Sequence, residues 1–196
     1  MDITYALLRE GSSDIALKTI VERYAQTRGH TLIFNEALSK PFNGPLGEQT
    51  VKIRTRNNFD DSTVEMAFYF ADRDKGEFNK LESIENAIRS VNELYLAKSI
   101  IGIPDPHMEV WLLTDQNAVK AVFGLVGDRP VPHSDVEPKK RLELLSNEFG
   151  SDELTPPEAR KKLAETLDLG VVERNCPSFN NFIQHFNEYL NAHNRV

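Results

Sequence analysis

Five consecutive apolar residues, Ala67-Phe68-Tyr69-Phe70-Ala71, three of them aromatic, run straight into Asp72-Arg73-Asp74. Such a run reads as a strand buried on both faces, the pattern of a central strand in a parallel sheet. A second strand is expected at Ile3-Thr4-Tyr5-Ala6-Leu7-Leu8, followed by Arg9-Glu10-Gly11-Ser12-Ser13-Asp14. Gly11 permits a sharp turn, and Ser12 or Ser13 suits a helix N-cap. Apolar Ile15, Ala16, Ile20, Val21 and Tyr24 then trace one helical face that Gly29 closes.

The remaining pattern predicts strand 3–8, helix 13–28, strand 31–36 and an irregular Pro/Gly stretch at 40–47. A basic strand or turn follows near 51–56, because the alternation of Lys52, Arg54 and Arg56 would put all three on one strand face. Strand 64–71 comes next, then a helix over 78–98 with Leu81, Ile84, Ile88, Val91 and Tyr95 three or four residues apart. Strand 99–103 ends in Pro104-Asp105-Pro106. The second half predicts helices 107–115, 115–124, 138–148, 156–168 and 178–192, separated by proline-bearing breaks. Strands alternating with helices indicate an α/β fold around a parallel sheet, with a helical C-terminal half. The chain reads as one domain, residues 1–196, with an α/β core over 1–105 and a helical extension over 106–196.

Two strand ends now carry two carboxylates each: Glu10 and Asp14 after the first strand, Asp72 and Asp74 after the third. In open α/β sheets the working site lies beyond the carboxyl ends of the strands, and clustered carboxylates suit a hard, oxygen-seeking divalent cation. Taken singly, each has a plainer role as a turn, a cap or a helix-dipole partner. If the strands are neighbours, four acidic side chains converge, and their repulsion needs protons or cations to offset it. Glu109, at the start of a helix after the fourth strand, is an additional acid of the same kind. Trp111 reads as packing.

The net charge of −7 argues against broad coating of nucleic acid, although metal-gathering acids account for part of it. Lys139-Lys140-Arg141 and Arg160-Lys161-Lys162 are local basic groups. The single Cys176 excludes a disulfide framework or a cysteine metal site and fits a reducing compartment. No stretch approaches the roughly 20 apolar residues that span a membrane, and Met1-Asp2-Ile3-Thr4 lacks the basic start of a signal peptide. A cytoplasmic protein without membrane contact is expected. Glycine-loop nucleotide motifs, zinc spacing among the His residues and a G-x-S-x-G elbow are all missing from the sequence.

Glu10-Gly11 followed by Asp72-Arg73-Asp74 resembles the Toprim domain, the metal-binding catalytic module of topoisomerases, primases and the nucleases of overcoming-lysogenization-defect proteins. Asp14 matches the Glu-x-x-x-Asp extension of the nuclease branch. Pro104 to Leu113, Pro138-Lys139-Lys140 and Cys176-Pro177-Ser178-Phe179 look like small stand-alone bacterial Toprim-like proteins, some associated with phage defence. The resemblance implies a four-stranded, mainly parallel sheet between helices, binding Mg²⁺ or Mn²⁺ and cleaving phosphodiester bonds in DNA or RNA. Asp14, Asp72 and Asp74 would then ligate metal, and Glu10 would ligate metal or move a proton. Lys139 or Lys140 would face the scissile phosphate. No tyrosine stands where a topoisomerase nucleophile would, so a nuclease is favoured over a topoisomerase. The leading expectation is a nuclease, the effector of a defence system whose ABC-type or AAA ATPase partner is a separate chain. The alternative is a non-catalytic Toprim-like interaction module, which the modest local basic charge favours. A phosphoryl-accepting receiver domain is disfavoured by the separation of the two acidic pairs.

Overall fold

Two runs of buried residues pair in parallel at the centre of a sheet: β1 (Asp2–Arg9) and β3 (Met66–Phe70), in register from Tyr5 opposite Met66 to Arg9 opposite Phe70. β2 (Thr31–Phe34) flanks β1 and β4 (Ser99–Gly102) flanks β3, giving a four-stranded, all-parallel sheet in the order β2-β1-β3-β4. The computed structural model describes residues 1–9, 15–39, 46–60, 63–73, 79–150 and 154–193.

Period-two alternation sends the central strands' side chains into two separate cores. Ile3, Tyr5, Leu7, Met66, Phe68 and Phe70 join the larger cluster, with α1 (Ile15–Thr27) and the C-terminal helices. Ala6, Leu8, Ala67, Tyr69 and Ala71 meet α2 (Glu48–Phe59) and α3 (Lys80–Arg89) on the other face. Burial on both faces explains why β3 has no polar position along its length.

Segment 51–56 is helical, correcting the expected basic strand. Val51, Thr55 and Asn58 are buried at a helical spacing, and the Thr55 hydroxyl hydrogen-bonds the Tyr69 hydroxyl at 2.8 Å. That buried stripe outweighs the short alternation of Lys52, Arg54 and Arg56, and Lys52 pairs with Glu48 one turn away. The continuous helix expected to 98 breaks after α3. The Asn92 side chain accepts from Leu94 N–H and starts α4 (Glu93–Leu96) anew.

After β4 come α5 (Glu109–Leu113), α6 (Gln116–Val122), α7 (Pro138–Phe149), α8 (Pro156–Thr166), α9 (Leu169–Asn175) and α10 (Pro177–His193). Prolines open α7 and α8, where the missing N–H costs no helical bond. Asp115 and Asp168 cap α6 and α9 with side-chain oxygens. α9 was not expected from the sequence. The larger core culminates in an aromatic cluster of Phe68, Phe70, Trp111, Phe179, Phe182 and Phe186, with neighbouring centroids 5.0–6.1 Å apart. No described helix is long and apolar enough to cross a membrane.

Candidate metal-binding site at the strand ends

The carboxyl ends of β1, β3 and β4 line up, with Arg9 opposite Phe70 and Phe70 opposite Gly102. The chain leaves β1 for β2 on one side, while β3 and β4 build the other side. In doubly wound sheets ligands bind where the strand order reverses, and here that reversal falls between β1 and β3. Glu10 follows Arg9 in the chain, and Asp72 follows Phe70 by two residues. The two acidic pairs therefore succeed adjacent strands. Glu10, Asp14 and Asp74 themselves lie outside the described residues.

Asp72 is held by bonds from the chain beyond β4. Ala71 N–H donates to Gly102 O (3.2 Å) and Arg73 N–H to Pro104 O (2.9 Å), extending the β3–β4 pairing past the strands. Asp72 Oδ1 accepts from Met108 N–H at 3.1 Å, and Oδ2 lies 3.3 Å from His107 Nδ1. His107 Nε2 lies 2.9 Å from Glu137 Oε1, so the imidazole bridges two carboxylates. Beside this chain, Arg73 Nη1 donates to Asp105 Oδ2 at 2.7 Å.

Burial raises the proton affinity of Asp72 above its ordinary value, and the Glu109 charge raises it further. His107 and the Met108 N–H act in the opposite direction. A carboxylate whose charge is poorly solvated at a strand end is a group that gains from a cation.

Glu109 is buried in α5 and faces Arg160 of α8, whose Nε and Nη2 both reach Oε1, at 2.9 and 2.6 Å. Its charge is thus already compensated within the protein, while still acting on Asp72. Lys139 and Lys140 stand exposed in the first turn of α7, and Lys140 Nζ is 3.5 Å from Glu143. They follow Glu137 after one proline, Pro138, so the bridge through His107 ties their segment to the strand end. Cys176 is buried, its sulfur 3.5 Å from the Ser178 hydroxyl.

Sequence reasoning missed His107, Glu137 and Arg160. His107 meets Asp72 across 35 residues and Glu137 across 30, and Arg160 meets Glu109 across 51. The one available signal was the position of His107, just past the β4 end and thus beside the β3 end. Among the described residues, no three His, Cys, Asp or Glu side chains converge as a ready metal cage.

Together these observations define a parallel α/β protein in which Asp72, His107 and Glu137 meet in series beyond the carboxyl end of β3. The family described as a domain of unknown function (DUF4276) matches residues 10–187, and the chain belongs to that family. No curated protein and no solved structure matches it.

Proposed function

We propose that this chain is a Toprim-like, Mg²⁺- or Mn²⁺-dependent nuclease cleaving phosphodiester bonds in DNA or RNA. The observation that carries the reading is the register of β1 with β3: their paired ends precede Glu10-Gly11 and Asp72-Arg73-Asp74 on neighbouring strands. The donors suit a hard divalent ion, being carboxylate oxygens, and Asp72 is short of solvation for its charge. Asp14, Asp72 and Asp74 would hold the ion, with Glu10 as a further ligand or proton carrier. The ion, when bound, polarises a phosphate and stabilises the attacking and leaving oxygens. Lys139 or Lys140 would neutralise the phosphate from the α7 side. With no ATP motif in the chain, any ATP dependence comes from a separate ATPase partner, as in a phage-defence effector.

The test is cleavage of plasmid, single-stranded DNA and RNA with Mn²⁺ or with chelator, by the protein alone and with any co-purifying ATPase. Glu10→Ala and Asp72→Ala should each abolish cleavage, since each removes a ligand whose contribution through the ion is several kcal/mol. Lys139→Ala or Lys140→Ala should weaken it less, each lysine having a neighbour of the same charge. Cleavage retained in both carboxylate variants would rule the mechanism out.

A second reading is a non-catalytic module that binds metal or a protein partner through the same fold. It is favoured by the bonding of Asp72, both of whose oxygens already meet groups of the protein. Mn²⁺ binding without cleavage under every condition above would select it.

A further inference from the structure

The side-chain torsion that sets the plane of an Asp carboxylate is broad, and so is the one that sets a His ring. Neither Asp72 nor His107 is oriented by its rotamer alone. The structure supplies the missing constraints in series. Met108 N–H fixes Asp72 Oδ1 at 3.1 Å, and His107 Nδ1 meets Oδ2 at 3.3 Å. Glu137 Oε1 holds the far ring nitrogen at 2.9 Å. With one nitrogen on each carboxylate, the ring has no nitrogen left to offer a cation directly. Asp72, by contrast, uses two of a carboxylate's roughly four lone-pair directions, and its side chain remains 35% exposed. The open lone pairs belong to the half-exposed strand end.

We infer that His107 and Glu137 are positioning residues for Asp72: Glu137 orients the ring, and the ring sets the carboxylate plane so that its open lone pairs receive the cation. This rests on the metal-binding reading above and adds to it two residues that do not touch the ion. Partners of metal ligands commonly change affinity by about 10- to 100-fold when removed. Glu137 is the informative member, because its side chain is 51% exposed and its only described polar partner is the His107 ring.

The experiment is calorimetric titration of Mn²⁺ into the full chain and into Asp72→Asn, His107→Gln, Glu137→Gln and the double variant His107→Gln/Glu137→Gln. Metal-free melting curves report whether each variant folds, and ring ¹⁵N resonances of His107 report its hydrogen bonds. The expected result is loss of Mn²⁺ binding in Asp72→Asn and about tenfold weaker binding in His107→Gln and in Glu137→Gln. The double variant should be no weaker than His107→Gln, since Glu137 acts only through the ring. The His107 ring resonances should move in Glu137→Gln while its metal-free melting curve stays in place. Wild-type affinity in Glu137→Gln, or additive losses in the double variant, would overturn the positioning role while leaving Asp72 a ligand. Wild-type affinity in Asp72→Asn would instead bring down the metal reading and the positioning role together.

Discussion

Removing the Arg160 side chain leaves Glu109 as a buried carboxylate without its countercharge. The two side chains are 6% and 9% exposed, for Glu109 and Arg160 respectively. Both guanidinium contacts fall on one carboxylate oxygen, at 2.9 and 2.6 Å. Breaking one side of a pair this buried costs about 3–5 kcal/mol, most of it the desolvation of the charge left behind. For a chain of this size each kcal/mol shifts the melting temperature by about 2–4 °C, so Arg160→Ala should melt roughly 6–20 °C lower. Replacing both partners by apolar residues, Glu109→Leu with Arg160→Met, should restore much of the stability, since neither charge is then stranded. Urea unfolding at neutral pH measures both. A loss under about 1 kcal/mol in Arg160→Ala, the range of exposed pairs, would refute the view that α5 and α8 are joined by a desolvated ion pair.

Asp72→Asn should leave the metal-free protein as stable as wild type or more so at neutral pH. The folded state binds the Asp72 proton more tightly than the ordinary value of 3.8, so its ionisation costs stability as the pH rises through that window; urea midpoints equal at all pH values would contradict this. His30 is buried with neither ring nitrogen hydrogen-bonded, and burial, the N-terminal ammonium and His193 all lower its proton affinity. Stability should therefore fall as the pH drops below its ordinary 6.5, and His30→Leu should flatten the change in urea midpoint between about pH 7 and about pH 5. Gly102→Ala should destabilise by about 1–3 kcal/mol in the same assay, overpacking a filled site: a methyl there would collide with the Phe70 ring and lie 3.1 Å from Trp111 Cη2. A wild-type midpoint would mean that β4 moves freely away from Phe70.

The parallel sheet was legible because β1 and β3 are buried on both faces, which leaves an uninterrupted apolar run in the sequence. α2 was not legible as a helix. Its buried stripe includes Thr55 and Asn58, polar residues whose burial depends on partners such as the Tyr69 hydroxyl that no local pattern reveals. α9 was hidden for another reason: its seven residues, between the Asp168 cap and Cys176, carry too few apolar positions to show a period. At the site, Asp72 announced itself by following β3. His107 and Glu137 did not, because their roles come from meeting across the fold. Glu109 was visible as an acid but not as half of an ion pair, its partner lying on a different helix.

The aromatic cluster has a temporal side. Phe68 and Phe70 emerge from the ribosome more than 100 residues ahead of Phe179, Phe182 and Phe186 of α10, which cover them. At synthesis rates of about 5–20 residues per second, the β3 face waits roughly 6–20 seconds for its lid. During that interval a nascent chain presents stacked phenyl rings on a sheet with open edges, a surface suited to chaperones or to self-association. A messenger cut short before α10 would fix the chain in that state.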